Sequence, residues 1–221
     1  MIQGTGSYVG KSVIAAALCR LFADRGIRVA PFKAQNMALN SFVTLDGREM
    51  GRAQAFQAEA SRVEPVCEMN PVLLKPSEDN NSQVVVLGEP IGHFTAKQYF
   101  TEEQRRGLWS VVTRSFEKLR DRFDLIVLEG AGSPAEINLF EQDFVNMRMA
   151  EWADAPVIIV GDINLGGVFA WMKGTFDLIQ PSHRGRVKGF VIDKFRGERS
   201  LLEPGIREFE GMVDRPVLGV M

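Results

Sequence analysis

The stretch that decides the fold is Gly4-Thr5-Gly6-Ser7-Tyr8-Val9-Gly10-Lys11-Ser12. It is typical of a phosphate-binding loop, in which backbone N–H groups surround phosphate oxygens and the following helix offers its positive N-terminal end. Lys11 would add a mobile cation, and the hydroxyl of Ser12 is placed to bind Mg²⁺. The strict pattern has glycine where Thr5 stands, so this loop is a variant. The alternative, a glycine turn before an ordinary helix, does not explain the Lys11-Ser12 pair.

The composition is that of an ordinary globular protein. The chain has 221 residues, of which 45% are hydrophobic and 24% charged, and this length suits one large domain or two small ones. A net charge of -2 gives no reason to expect a nucleic acid or an anionic membrane as a partner. Cys19 and Cys67 lack metal-type spacing, which predicts reduced thiols in a cytoplasmic protein. The sequence predicts neither a membrane span nor a signal peptide.

Helix-like and strand-like segments alternate along most of the chain. Apolar residues from Val13 to Phe22 share one face of a predicted helix that Gly26 ends, and a strand is predicted over 28–32. The later segments are predicted as a helix capped by Thr101, a strand over 125–128, a helix over 144–152, a strand over 156–160, a helix over 167–179, a strand over 187–192, a helix over 201–212 and a strand over 217–220. This alternation predicts an α/β fold, a mostly parallel sheet with helices on both faces.

The segment between the predicted strands over 28–32 and 125–128 departs from this alternation. Residues 36–47 are polar and small and are interpreted as a functional loop, and 51–62 predicts a helix. Strands are predicted over 71–74 and 83–87, with a polar turn over 77–82 between them.

Charged residues follow several of the predicted strands. Ligands gather at the carboxyl ends of parallel strands, so these positions are candidates for a site. Glu129 would hold Mg²⁺ directly or through water, or else cap a backbone turn. Lys33 would contact a terminal phosphate or a substrate carboxylate, or else is a surface lysine. Asp46 is a weaker metal candidate because Asp-Gly is also a common turn pair, and Asp162 would be a supporting carboxylate or a helix cap.

Five segments carry a family resemblance: Gly4–Ser12, Pro31–Met37, Asn70–Pro76, Glu129–Asn138 and Lys188–Gly197. They resemble the cobyric acid synthases, which are glutamine-dependent amide ligases of cobalamin biosynthesis, and the resemblance runs along essentially the whole chain. It implies that residues 1–221 form the ATP-binding synthetase domain, a P-loop NTPase-type fold similar to dethiobiotin synthetase. The family's C-terminal glutaminase domain has no counterpart in this sequence. Ammonia would therefore come from a glutaminase domain that is not in this chain, or from free ammonium.

The resemblance implies ATP-dependent amidation of carboxylates on adenosylcobyrinic acid a,c-diamide, which gives adenosylcobyric acid. A carboxylate repels ammonia and lacks a good leaving group, so phosphoryl transfer to it would form an acyl phosphate that ammonia then attacks. By the same resemblance, Lys11 and Lys33 would stabilise the transferring phosphoryl group. The residues that would hold Mg²⁺ are Ser12, Asp46 and Glu129. The residues that would face the corrinoid substrate are Asn36, Asn40, Lys75, Ser133 and Glu136.

Three places depart from the family pattern, one of which is Tyr8, where the family often has a small residue in the phosphate loop. The resemblance implies that Asp193 and Lys194 bind the nucleotide. The family usually has Asn-Lys or Asn-Arg at these two positions, and the amide of that asparagine recognises adenine. A carboxylate only accepts hydrogen bonds, whereas an amide also donates. We therefore hypothesise that base selectivity is relaxed in this chain. Asn164-Leu165 stands where the family more often has Asp-Arg, so this loop lacks an acid and an arginine that the family pattern has.

Two alternative functions stay open on the sequence. A ligase related to dethiobiotin synthetase would share Glu129–Gly132 but not the residues that follow. A partner-binding ATPase switch of the partitioning kind would usually carry an additional lysine early in the loop, and Gly4-Thr5-Gly6 has none. A homodimer is also left open.

Overall fold

A computed structural model describes residues 1–77 and 81–221 of the chain. The predicted turn over 77–82 therefore lies partly outside the described residues. The strands are β1 (Ile2–Gly4), β2 (Val29–Phe32), β3 (Gln35–Met37), β4 (Ser41–Val43), β5 (Glu49–Gly51), β6 (Val72–Pro76), β7 (Asn81–Val86), β8 (Glu89–Thr95), β9 (Leu125–Leu128), β10 (Val157–Asp162), β11 (Val187–Asp193) and β12 (Val217–Val220).

The α-helices are α1 (Lys11–Asp24), α2 (Arg52–Ala60), α3 (Ala96–Tyr99), α4 (Glu102–Arg120), α5 (Met147–Trp152), α6 (Val168–Leu178), α7 (Pro181–Arg184) and α8 (Arg199–Val213). Short 3-10 helices cover Cys67–Met69, Ile137–Leu139 and Ile163–Leu165. Among the described residues, no helix combines the length and the apolar character that crossing a membrane requires.

Most of the predicted alternation is confirmed. Strands β9 and β12 have the predicted bounds, and the other predicted helices and strands differ by a few residues at their ends. Helix α5 begins at Met147 and not at Phe144, because the carboxylate of Asp143 accepts hydrogen bonds from the backbone N–H groups of Val145 (2.8 Å) and Asn146 (3.2 Å). These bonds hold the preceding residues in a turn, since a side chain that binds the backbone competes with the helix.

The interpretation of 36–47 as a loop is wrong in part, because this segment contains β4 and part of β3. The pairing partners explain the difference: β3 pairs with β6, which lies far along the chain, and β4 pairs with β5 as a hairpin. Tertiary pairing satisfies backbone groups in a segment whose polar residues have little strand propensity. The sequence also did not indicate β8, α3 or α7.

The chain divides into two compact units, 1–11 with 130–221 and 12–129. In the first unit, strands lie in the order β1-β10-β11-β12, and each neighbouring pair is parallel. Its core includes the fully buried Ile159, Met172, Phe190 and Phe209. Phe190 and Phe209 meet edge to face with ring centroids 4.9 Å apart, a geometry that adds to the gain from burying their area.

The second unit contains the parallel pair β2-β9, the hairpin β4-β5 and a four-stranded sheet in the order β3-β6-β7-β8. In that sheet β3 and β6 are parallel, whereas β6, β7 and β8 run antiparallel. Phe32 and Phe116 form an edge-to-face pair, with centroids 5.5 Å apart, in its core. Parallel pairs outnumber antiparallel pairs among the described strands, and the predicted α/β class is confirmed.

Candidate functional site

The phosphate loop lies in the first unit, between β1 and α1. The N–H of Thr5 donates a 2.9 Å hydrogen bond to the carbonyl of Val160, which anchors the start of the loop to β10. Gly10 has φ +105°, and a Cβ atom at this position would overlap the carboxylate of Asp193. Both facts require glycine, because other residues rarely adopt such a φ and would have no space here.

The ammonium of Lys11 lies over the same loop. Its Nζ donates to the carbonyl of Gly6 at 2.5 Å and to the carbonyl of Gly132 at 3.1 Å. The residue is only 6% exposed although it carries a charge. An anion bound by the backbone N–H groups of the loop would meet this ammonium, so the loop fits a phosphate group.

Lys194 ties the loop to the end of β10. Its Nζ donates to the carbonyl of Tyr8 at 2.7 Å and to Oδ2 of Asp162 at 2.6 Å. Asp162 also accepts from the backbone N–H of Asn164 at 2.9 Å, so this carboxylate both caps a short helix and supports Lys194. The structure thus places Lys194 and the neighbouring Asp193 against the phosphate loop, and their part in nucleotide recognition stays a prediction.

The segment predicted to face the substrate, 133–136, folds onto itself. The carboxylate of Glu136 accepts a 3.0 Å hydrogen bond from the N–H of Ser133, and the Ser133 hydroxyl accepts from the N–H of Ala135 at 3.2 Å. The carbonyl of Gly132, which precedes this segment, accepts a hydrogen bond from the ammonium of Lys11. Ser133 and Glu136 therefore follow directly after a residue that contacts the phosphate loop, and the sequence did not indicate that contact.

The second unit holds a cluster around Glu129, which we call the Glu129 cluster; it consists of Glu129, Ser12, Lys33, Gln54 and Gln57. Oε1 of Glu129 accepts from Ser12 Oγ at 2.7 Å and from Lys33 Nζ at 2.8 Å. Oε2 accepts from Gln57 Nε2 at 2.6 Å and from Gln54 Nε2 at 3.4 Å. The Glu129 carboxylate is 1% exposed, and its hydrogen bonds replace the water that burial removes.

Strand register explains why Lys33 and Glu129 meet. Strands β2 and β9 are parallel, with Phe32 opposite Leu128. The next residue of each strand therefore emerges at the same edge, and the N–H of Glu129 donates to the carbonyl of Phe32 at 2.9 Å. This is the strand-end position at which ligands gather in parallel sheets.

The partners of Glu129 keep it ionised. Burial opposes ionisation of its carboxyl group, but the charge of Lys33 and the hydrogen bonds from Lys33, Ser12 and Gln57 outweigh burial, so the pKa of Glu129 lies below its usual value. A charged carboxylate is the form that a divalent cation requires.

Ser12 and Glu129 carry oxygen atoms of the kind that Mg²⁺ prefers. The Ser12 hydroxyl gives its only hydrogen to Glu129, which leaves the oxygen lone pairs for a cation. Across residues 1–77 and 81–221, no group of three His, Cys, Asp or Glu side chains is arranged to hold a metal. Magnesium commonly takes only one or two protein oxygens and completes its shell with water and phosphate. The Ser12 oxygen would bind it directly, whereas Glu129, whose two oxygens each accept two hydrogen bonds, would act through Ser12 or through a water ligand.

Asp46 lies in the turn of the β4-β5 hairpin. Its carboxylate accepts from Arg48 Nε at 2.7 Å and from Thr44 Oγ1 at 2.5 Å, and these bonds, the one from Arg48 most of all, lower the pKa of Asp46 to about 2. These contacts belong to the turn alternative that the Asp-Gly pair suggested, and Asp46 is not among the hydrogen-bond partners of Glu129 described above. Its part in binding Mg²⁺ stays a prediction.

The other residues predicted to face the substrate lie in the second unit. Asn36 is buried and donates to Gln54 Oε1 at 3.0 Å. Lys75 pairs with Glu49 at 2.6 Å, and Asn40 is exposed between β3 and β4. Asn36 is thus joined through Gln54 to the Glu129 cluster.

Sequence reasoning missed Gln54 and Gln57. Both lie on α2 and are completely buried. Their spacing of three residues places them on one face of the helix, and two glutamines on an inward face were the available signal. Nothing in the sequence indicated that their partner would be Glu129, which lies 72 residues after Gln57.

Residues 1–221 match the family described as the CobQ/CobB/MinD/ParA nucleotide binding domain. The chain belongs to this family. Within it, the chain is 59% identical to a cobyric acid synthase of Sorangium cellulosum (strain So ce56), over 100% of this chain and 42% of that protein. It is 57% identical to a cobyric acid synthase of Carboxydothermus hydrogenoformans, over 100% of this chain and 44% of that protein. The predicted resemblance is confirmed, and the chain spans less than half the length of these relatives.

A solved structure supports the fold of this nucleotide-binding family. The signal recognition particle 54 kDa protein from Aeropyrum pernix K1, in complex with GDP, matches with a TM-score of 0.57 and 13% identity. The match covers 100% of this chain and 40% of that protein. At this identity the likeness shows the fold alone, and it agrees with the P-loop NTPase fold that the sequence predicts.

Proposed function

We propose that the chain catalyses ATP-dependent amidation of carboxylates on a corrinoid, from adenosylcobyrinic acid a,c-diamide to adenosylcobyric acid. The observation that carries this proposal is the 59% identity to a cobyric acid synthase along all 221 residues. The geometry of Ser12, Lys33 and Glu129 supports it, because phosphoryl transfer depends on positioning and on charge neutralisation.

The chemistry requires activation of the substrate carboxylate. Bound ATP with Mg²⁺ supplies a phosphoryl group, which makes one carboxylate oxygen a leaving group as ADP departs. The nitrogen of ammonia then bonds to the carboxyl carbon, inorganic phosphate leaves, and the nitrogen loses a proton. The protein must therefore hold phosphates, orient the carboxylate and exclude water.

Named residues would supply these functions. In the first unit, Lys11 and the N–H groups of the phosphate loop would bind phosphate oxygens. In the second, Ser12 and Glu129 would hold Mg²⁺, and Lys33 would neutralise charge that develops on the transferring group. Lys33 keeps a fixed position for this task because its ammonium is 2.8 Å from Glu129. Preorganised charges stabilise a transition state without reorganising during the reaction.

The remaining predicted contacts are part of the same proposal. Asp46 would contribute to the metal site, and Asp193 with Lys194 would contact the nucleotide base. The corrinoid would be bound by Asn36, Asn40, Lys75, Ser133 and Glu136. Ammonia would come from a glutaminase domain, for which the additional length of the relatives leaves room, or from free ammonium.

An amidation assay tests the proposal. The chain is incubated with ATP, Mg²⁺, adenosylcobyrinic acid a,c-diamide and ammonium chloride, and amides are detected by mass spectrometry while ADP is measured by a coupled assay. We expect one ADP for each amide, with both products lost in Lys11→Ala. ADP formation that does not respond to the corrinoid but rises with a protein partner would instead support a switch ATPase.

A further inference from the structure

Gln57 has an unusual hydrogen-bond arrangement. Its Nε2 donates to Glu129 Oε2 at 2.6 Å and to the carbonyl of Ser12 at 3.2 Å. Its own Oε1 is completely buried, and no hydrogen-bond partner for that atom is found among the described residues. A buried carbonyl without a partner destabilises the folded state.

The opposite orientation of the Gln57 amide would destabilise the folded state further. Turning the side chain amide over would direct Oε1 at the Glu129 carboxylate and at the Ser12 carbonyl, and all three groups only accept hydrogen bonds. The two acceptors therefore fix the amide with its nitrogen toward Glu129. The chain tolerates an unpaired oxygen at this position, and the gain is an oriented carboxylate.

Gln54 extends the arrangement to Asn36. Its Nε2 donates to Glu129 at 3.4 Å, and its Oε1 accepts from Asn36 Nδ2 at 3.0 Å. Gly51 allows this close packing, since a Cβ atom there would lie 2.6 Å from Asn36 Nδ2 and 2.7 Å from Gln54 Oε1. The N–H of Gly51 also donates to Asn70 Oδ1 at 2.9 Å, which fixes the first turn of α2.

We propose that Gln57 and Gln54 are positioning residues for Glu129. Gln57 holds Oε2 in place, so that Oε1 stays directed toward Ser12 and Lys33. Gln54 links the Glu129 carboxylate to Asn36, which is one of the residues proposed to bind the corrinoid. This inference rests on the proposed function, in which Glu129 and Ser12 hold the magnesium ion, Glu129 directly or through water. Groups that orient a metal ligand change metal affinity even though they do not touch the metal.

The test measures magnesium-dependent nucleotide binding by the purified chain. The variant Gln57→Met keeps the length of the side chain and removes both the donor and the unpaired oxygen. Binding of a non-hydrolysable ATP analogue is followed by calorimetry across a Mg²⁺ titration, and thermal unfolding is recorded in parallel. The matched control is Gln104→Met on α4, which is not among the partners of Glu129.

We expect the Mg²⁺ concentration for half-maximal binding to rise about 10- to 100-fold in Gln57→Met. The thermal midpoint should stay close to that of the control, because the lost donor and the lost unpaired oxygen have opposite effects on stability. High Mg²⁺ should restore binding. In a Glu129→Gln background, Gln57→Met should cause no further rise in this Mg²⁺ concentration, since the carboxylate that Gln57 orients is no longer present.

A folded Gln57→Met protein with an unchanged Mg²⁺ requirement would overturn the inference. If this variant does not fold, Gln54→Met replaces it, with a smaller rise expected because its bond to Glu129 is longer, and no rise would again overturn the inference. A parent chain that binds the nucleotide with Mg²⁺ but makes no amide would contradict the proposed function alone, because the binding measurement needs no corrinoid.

Discussion

Lys33 and Glu129 form a buried ion pair, with Nζ 2.8 Å from Oε1 and side chains that are 8% and 1% exposed. Such a pair is weak evidence for stability, because removing two charges from water costs about as much as their attraction returns. Its position is informative, since both residues follow paired parallel strands at an edge where ligands bind. The pair is therefore best explained as part of a site.

Replacing Glu129 by glutamine should destabilise the protein. Glu129→Gln leaves the buried Lys33 ammonium without its counter-charge, which costs about 3–5 kcal/mol. Urea unfolding followed by circular dichroism should show the loss. The amidation activity should also fall below detection even where the variant is folded, because the proposed metal ligand has changed.

The control for this variant is Glu102→Gln. Glu102 pairs with Arg106 on the surface of α4, where both side chains are largely exposed. Exposed pairs contribute little, so the unfolding midpoint should not move. An equal shift in both variants would contradict the interpretation of the Glu129 pair.

Replacing Gly10 by alanine should impair nucleotide binding. The new Cβ atom would overlap the Asp193 carboxylate, and φ +105° is strained for alanine. We expect affinity for a fluorescent ATP analogue to fall at least about tenfold, equivalent to about 1.4 kcal/mol. The double variant Gly10→Ala/Asp193→Ala should recover part of the loss, because it removes the overlap but not the strain.

Gly174→Ala is the control for that series. Gly174 lies inside α6 with open space where a Cβ atom would be added. Alanine should stabilise the helix there by roughly 0.5–1 kcal/mol and leave nucleotide affinity unchanged. A comparable loss of affinity in this variant would show that the Gly10 effect is not local.

Asp193 should set base selectivity. We expect the chain to bind ATP and GTP with similar affinities, and Asp193→Asn to shift preference toward ATP by about tenfold, the effect of roughly one hydrogen bond. Competition titrations with both nucleotides measure the ratio. A strong preference for ATP in the unaltered chain would disprove the hypothesis of relaxed selectivity.

Cys19 should be unreactive in the folded protein. Burial raises the pKa of its thiol to about 11, and the charge of Glu129 acts in the same direction. The thiolate is the reactive form, so labelling with a disulfide reagent at pH 8 should proceed only as fast as the protein unfolds. Fast labelling without denaturant would contradict the buried position.

The same shift makes stability depend on pH at the alkaline end. The pKa of Cys19 is about 11 in the folded protein and 9.0 in the unfolded chain. The contribution of the protonated thiol to the free energy of unfolding is therefore complete below pH 9 and is lost as pH rises toward 11. Cys19→Ala should remove this part of the alkaline slope. Unfolding curves recorded between pH 8 and pH 11 would measure the difference.

Sequence patterns predicted the phosphate loop, most helices and strands, and the positions of Lys33 and Glu129 at strand ends. Each of these follows from the spacing of residues that are close together along the chain, because that spacing matches the repeat of a helix, a strand or a phosphate loop. Strands β3 and β4 were missed because their pairing partners, and not their own propensities, make them strands. Gln54 and Gln57 were missed because helix periodicity indicates an inward face without indicating what lies opposite.

By itself, the sequence determined the family, the α/β class and the residue types from which a phosphate site is built, since these depend on local spacing and composition. Only the tertiary structure decided that Glu129 Oε1 faces Ser12 and Lys33, while Oε2 faces the glutamines of α2. Strand register and helix packing bring together residues far apart along the chain. A buried carboxylate accepts hydrogen bonds from the donors that this packing places beside it. Hydrogen-bond partners at this distance are a property of the folded chain, because no local pattern encodes them.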